Sequence, residues 1–283
     1  MSIAQKSDSS ILGDVSTYKE TEKSPLAIEV SEARIEFPLG QFTRGSLKTL
    51  LFSLFGHREA SLPMPFVNAI KNVSFDVAQG ERIGIIGHNG AGKSTMLRAL
   101  AGIYPLKSGS ITVSGQVGSL LDVGLGFEPE STGRENIYYR GMSMGISRKE
   151  MKKHEQAIID FAELGDFIDL PMRTYSTGMF VRLGFAVSTQ FKPDILLIDE
   201  VFGAGDAIFQ KRALARMHEI VEQAGIVVIA THDLGLVQNL CTRTLLLDDG
   251  SIVFDGAPAD AIDAFNALVR ERSSETKDED TAR

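Results

Sequence analysis

The run Gly87-His88-Asn89-Gly90-Ala91-Gly92-Lys93-Ser94-Thr95 fits the spacing G-x-x-x-x-G-K-[ST]. In such a loop the glycines let backbone N–H groups turn inward around the phosphates of a nucleotide. Lys93 would reach the β- and γ-phosphates, and the Ser94 hydroxyl would sit on a magnesium ion. The loop as a whole is the candidate nucleotide-binding segment, with the His88 side chain expected to point away from the ligand. The bare pattern arises by chance in roughly one chain of this length in a hundred. Here it also stands after an apolar run and before a helical one, which makes chance rarer still.

Two further groups end apolar runs. Ile195 to Ile198 are four apolar residues in succession, read as a strand buried on both faces, so Asp199 and Glu200 emerge at its C-terminal end. Asp199 is placed to hold Mg²⁺, directly or through water, and Glu200 to polarise a water lined up on the γ-phosphate. His232 follows "VVIAT", where its ring would contact the γ-phosphate and keep the water of Glu200 in line. Lys93, Glu200 and His232 are thus the candidate catalytic residues, and Ser94 and Asp199 the candidate metal ligands. A second phosphate-like element is Tyr175-Ser176-Thr177-Gly178-Met179, small and polar ahead of an apolar helical run. One chain with a complete phosphate loop has no evident need of it for its own nucleotide.

The elements that must position these groups follow from periodicity. "LAIEVSEARIEF" and "KNVSFDVAQGERIGIIG" alternate as strands, and "GSITVSGQVGSLL" reads as a hairpin. From about Thr132 to Val187 the pattern is helical, and strands return with "DILLIDE", "GIVVIATHD" and "TLLLDDGSIVFDG". The last is two short strands joined at Asp248-Asp249-Gly250. This order predicts an α/β fold: a mostly parallel core sheet with antiparallel β elements and an inserted helical subdomain, about 127–187, within a domain spanning 27–270. Ligands of such a sheet bind beyond the C-terminal ends of its strands. Residues 1–26 read as a flexible leader and 271–283 as a disordered tail, both too polar to pack. Leu47, Leu50, Leu51, Leu54 and Phe55 recur at helical spacing within 41–66, a one-faced helix that packs on its own domain or docks a partner.

The formal net charge of −8, with a pI near 5.2, argues against nucleic acid as a partner. Cys241 is the single cysteine, which rules out an intramolecular disulfide and a cysteine-built zinc site. No apolar run approaches the roughly 20 residues that cross a bilayer.

"GHNGAGKST", "ILLIDE", "THD" and "YSTGM" together resemble the ATP-binding subunits of ABC transporters over roughly residues 27–265, as Walker A loop, Walker B strand, switch-histidine loop and signature segment. The resemblance implies an ABC-type P-loop nucleotide-binding domain that hydrolyses ATP with Mg²⁺ and works as a homodimer. Ser176 and Gly178 of one copy would close over the ATP held by the other. It also implies that Phe37 stacks on adenine, that Asp206 makes a cross-dimer contact, and that Asp122 or Val123 stands where many members carry a glutamine. Thr177 replaces the usual glycine of the signature, which puts the backbone geometry there in question. "LGLGFEPESTGRENI", "YSTGM" and "DEVFGAGDAIFQKR" are similar to the branch that exports bacterial surface polysaccharides such as O-antigen, teichoic acid and some capsules. The implied partner is a separate integral membrane permease, docked at the "GFEPESTGREN" loop and the helix near Leu47, at the cytoplasmic face of the inner membrane. No C-terminal carbohydrate-binding domain is expected. The alternatives are an ABC ATPase driving another substrate and a soluble one without a transport role.

Overall fold

A computed structural model describes residues 25–38, 66–121, 126–199 and 207–281. Glu200, Asp206, Asp122, Val123, the leader up to residue 24 and the helix expected near Leu47 lie outside the described residues.

Three antiparallel strands form one sheet in the order β2-β1-β4: β1 Ala27–Pro38, β2 Phe66–Ala78 and β4 Ser108–Ser114. On β1 the buried set runs Ile28, Val30 and then Ala33, Ile35. The phase changes at a register shift around Glu32, which takes φ of 48°. The bulge turns both halves of the strand toward the core, where one unbroken alternation would have exposed the second half.

The second sheet runs β5-β6-β7-β3-β8-β9. Its strands are β3 Arg82–Ile86, β5 Val117–Leu120, β6 Ile195–Ile198, β7 Ile226–Ala230, β8 Arg243–Asp248 and β9 Ser251–Gly256. All neighbours are parallel except β8 and β9. The near-continuous apolar runs of β6 and β7 are buried at every position, as strands covered on both faces must be. Ile195 and Leu197 pack toward helix α1 (Lys93–Leu100) and the antiparallel sheet, while Leu196 and Ile198 pack toward helix α5 (Ala207–Gln223). Because the strands are parallel, the residues following β3, β6 and β7 meet at one end of the sheet.

Helices α2 (Gly133–Ser143), α3 (Arg148–Ala162) and α4 (Thr177–Ser188) form a separate apolar cluster around Ile137, Met151, Ile158 and Leu183. This is the expected helical insertion. Each has its own start signal: Thr132 and Glu135 make a reciprocal capping box on α2, Ser147 caps α3 and Ser176 caps α4. Helix α6 (Leu234–Leu240), capped by Asp233, and helix α7 (Pro258–Thr281) complete the chain order.

Two expectations are corrected. "GSITVSGQVGSLL" is not a hairpin, because β4 and β5 lie in different sheets. Gly115, at φ of 136°, turns the chain away, and Gln116 then exchanges hydrogen bonds with Asp194 at the entry to β6. The polar stretch from Glu271 to Thr281 is not an irregular tail but the continuation of α7. It holds neither Pro nor Gly, so no residue in it breaks a helix already nucleated upstream.

Candidate functional site

The phosphate loop connects β3 to α1, and its glycines answer to named neighbours. A Cβ on Gly87 would run into the Leu247 carbonyl oxygen of β8. Gly92 is the N-cap of α1 at φ of 107°, against the Ala69 carbonyl of β2. No side chain caps α1 and no acidic residue stands in its first turn. Its first N–H groups are therefore left to an anionic ligand.

Lys93 is buried, and its Nζ donates to the carbonyls of Gly87 at 2.7 Å and His88 at 3.0 Å. Burial pulls its ammonium below the usual lysine range, and the Asp199 charge works the other way. Ser94 Oγ, in the first turn of α1, donates to Oδ1 of Asp199, just past the end of β6, at 3.1 Å. The structure thus joins the two expected metal ligands directly. Two hard oxygen donors, with the Lys93 ammonium beside them, suit a magnesium ion that also binds phosphate.

A cavity of about 580 Å³ opens beside this loop, lined by Asn89, Gly90, Gly92, Lys93, Ser94 and Thr95, by Val67, Asn68, Ala69 and Lys71 of β2, and by Asp249 and Gly250. Gly87, His88 and Ala91 are not in the lining. The His88 ring is turned away from the cavity, its Nε2 standing 3.0 Å from Asp248 Oδ1. The contributions of β2 and of the β8–β9 turn were not read from the sequence. They carry no motif, and backbone bonds from Lys71 N to the Gly250 carbonyl and from Gly250 N to the Ala91 carbonyl bring them together.

The remaining expected residues are placed as follows. His232 is exposed, directly after Thr231, whose N–H donates to the Ile85 carbonyl of β3. Phe37 stands opposite Val67 in the β1–β2 pair but is outside the cavity lining, its ring edge-on to Tyr104 at 5.2 Å. Ser176 and Gly178 lie at the start of α4 in the helical unit, not in this cavity. Thr177 is the first residue of α4 and has no positive φ. A β-branched residue is therefore accommodated where a glycine is usual.

The segment before Ser176 is strapped to the loop ahead of α2. Met172 N donates to the Ser131 carbonyl and Arg173 N to the Pro129 carbonyl, both at 2.9 Å, and Thr132 bridges Pro171. Asn136, fully buried, ties that loop from beneath. Its Nδ2 donates to the carbonyls of Glu128, Ser131 and Thr132, and its Oδ1 accepts from Glu128 N. Arg134 pairs with both Asp169 and Glu155, which hold its guanidinium more firmly protonated than usual.

The chain is similar in sequence and fold to known proteins. The family pattern described as ABC transporter matches residues 70–203. The O-antigen export system ATP-binding protein RfbE of Yersinia enterocolitica is 48% identical over 186 residues, covering 66% of this chain and 78% of that protein. The O-antigen export system ATP-binding protein RfbB of Myxococcus xanthus is 43% identical over 212 residues, 75% of this chain. The match spans only 48% of that relative's length. Among solved structures, a dimeric post-hydrolysis ATP-binding cassette bound to ADP and Pi aligns over 82% of this chain and 98% of its own, with a TM-score of 0.61 at 19% identity. At that identity the likeness concerns the fold.

Proposed function

The chain belongs to the ABC transporter family of ATP-binding proteins, and on that premise we propose that it hydrolyses ATP as one half of a homodimer and so powers export of a surface polysaccharide, or its lipid-linked precursor, through a separate membrane permease. The observation that carries the catalytic part is the meeting of Ser94 and Asp199 beside a buried Lys93 at the N-terminus of an uncapped helix. The substrate class is inferred from relatives named for O-antigen export. Among the described residues no helix is long and apolar enough to cross a membrane, so the reading assigns the channel to another chain.

In this mechanism the first-turn amides of α1 and the Lys93 ammonium receive the β- and γ-phosphates. Ser94 and Asp199 would hold Mg²⁺, which supplies positive charge on the phosphate oxygens when bound. Glu200 polarises the attacking water and His232 keeps it in line with the γ-phosphate. Phe37, beside the cavity rim, stacks on the adenine. Ser176, Gly178 and the N-terminus of α4 serve the nucleotide of the other copy, which accounts for their distance from the phosphate loop of their own chain. Residues 126–136, a loop and the first turn of α2, bonded through their backbone to Met172 and Arg173 just ahead of the signature, meet the permease at the cytoplasmic face of the membrane, so a push there reaches Ser176.

The test is Glu200→Gln. ATP binding should persist, steady-state hydrolysis should fall by at least about a hundredfold, and the ATP-loaded variant should elute as a dimer. Wild-type turnover in the variant would remove Glu200 from its role. Co-purification with the permease, followed by ATPase assays with and without a polyprenyl-linked glycan, tests the cargo. No stimulation by the glycan would move the proposal to another substrate.

A further inference from the structure

The outward side of the phosphate loop is anchored to the C-terminal helix through the turn between β8 and β9. His88 Nδ1 donates to the Asn89 carbonyl at 2.7 Å, and the opposite edge of the ring faces two carboxylates, Asp248 at 3.0 Å and Asp249 at 3.5 Å. Arg272 of α7 reaches the same pair, with both Asp248 oxygens at 2.7 and 2.9 Å and Asp249 at 3.5 Å. The Asp248 side chain is only 16% exposed, so solvent screens this contact less than it would an open surface pair. The turn is itself stiff. Asp249 and Gly250 both have positive φ, 44° and 79°, as a tight two-residue hairpin requires. Gly250 donates to the Ala91 carbonyl and accepts from Lys71 N.

We propose that Arg272, Asp248 and His88 form a tie that positions the phosphate loop, so that the C-terminal helix α7 sets how firmly the site holds nucleotide. Arg272 joins α7 to the turn, and the Gly250–Ala91 hydrogen bond joins the turn to the loop, with the His88 ring within ion-pair range of Asp248 but not hydrogen-bonded to it. The inference rests on the reading that this loop binds ATP. His88, Asp248 and Arg272 are positioning residues, with no part in the chemical step. The same His and Asp atoms lie close enough together to suggest a metal site. Arg272 already spans both carboxylates, however, and an incoming cation would have to displace a guanidinium.

Asp248→Asn and Arg272→Gln, made in the full chain, test the tie in two ways. Without nucleotide, amide hydrogen exchange at His88 to Ala91 should become about three- to tenfold faster in either variant, and Arg272→Lys should restore most of the protection. With ATP, the dissociation constant and KM should rise by about the same factor while kcat stays unchanged, because the loop amides hold ground and transition states alike. The double variant should be no worse than the weaker single, since both remove one contact chain. Unchanged exchange in the loop, or unchanged ATP affinity beside a lowered unfolding temperature, would overturn the proposal. So would micromolar Zn²⁺ binding to the wild type that His88→Ala abolishes. Because the exchange measurement uses no ATP, it separates failure of the tie from failure of the nucleotide reading.

Discussion

Lys93 shows at a single position how a site for an anion exists before the anion arrives. Its ammonium is withdrawn from water and held on two carbonyls of its own loop, at a cost in solvation that depresses its pKa. A bound phosphate would offset that cost, and it is therefore part of the affinity for ATP. Lys93→Met keeps the aliphatic stem and removes the desolvated charge. ATP hydrolysis should fall by at least about a hundredfold, while the nucleotide-free protein should unfold at the same temperature or a higher one. A variant that melts early yet still turns over would reverse this account. At this scale the sequence was legible wherever a residue type is tied to a local task. The glycines, Lys93, Ser94 and Asp199 stand where their spacing placed them. The His88–Asp248 contact was not legible, because nothing in either segment announces a partner so far along the chain.

The elements were legible where periodicity alone decides them. The three helices of the insertion and the buried runs of β6 and β7 fall where the pattern put them. The misplaced hairpin at "GSITVSGQVGSLL" marks the limit, since alternation identifies a strand but says nothing of which sheet receives it. Equally silent was the way the signature is fastened. Tyr175 Oη donates to the Phe167 carbonyl at 2.8 Å, and its hydroxyl fills the space above Gly133, where a Cβ would collide with it. Tyr175→Phe should cost about 1 kcal/mol of stability. Gly133→Ala should cost more, because it drives the ring from its seat and disturbs Ser176 next to it. Burial pushes the Tyr175 phenol up to about 12, with Asp169 adding to it. The neutral form is thus the folded form. Its contribution is complete below pH ~10, the ordinary tyrosine value, and is lost as pH rises through about 12. Urea midpoints of wild type and Tyr175→Phe should therefore converge between pH 8 and pH 11, and a constant gap would show that the hydroxyl is not buried as described.

For the whole molecule the decisive question is which chain each signature serves. Ser176 Oγ already accepts from Met179 N at 3.2 Å as the cap of α4, so Ser176→Ala costs about 1 kcal/mol in its own subunit whatever else it does. Loss of activity in the homodimer therefore cannot separate a weakened helix from a missing contact to ATP. Placement of two changes in a mixed dimer can. If each site joins Lys93 of one copy to Ser176 of the other, a subunit carrying both Lys93→Met and Ser176→Ala damages both sites when paired with wild type. The same two changes on opposite subunits fall in one site and leave the second whole. Single-turnover phosphate release should then be near zero for the first dimer and about one phosphate per dimer for the second. The reverse ranking would mean that each chain completes its own site, and the signature would have to be read as a structural cap.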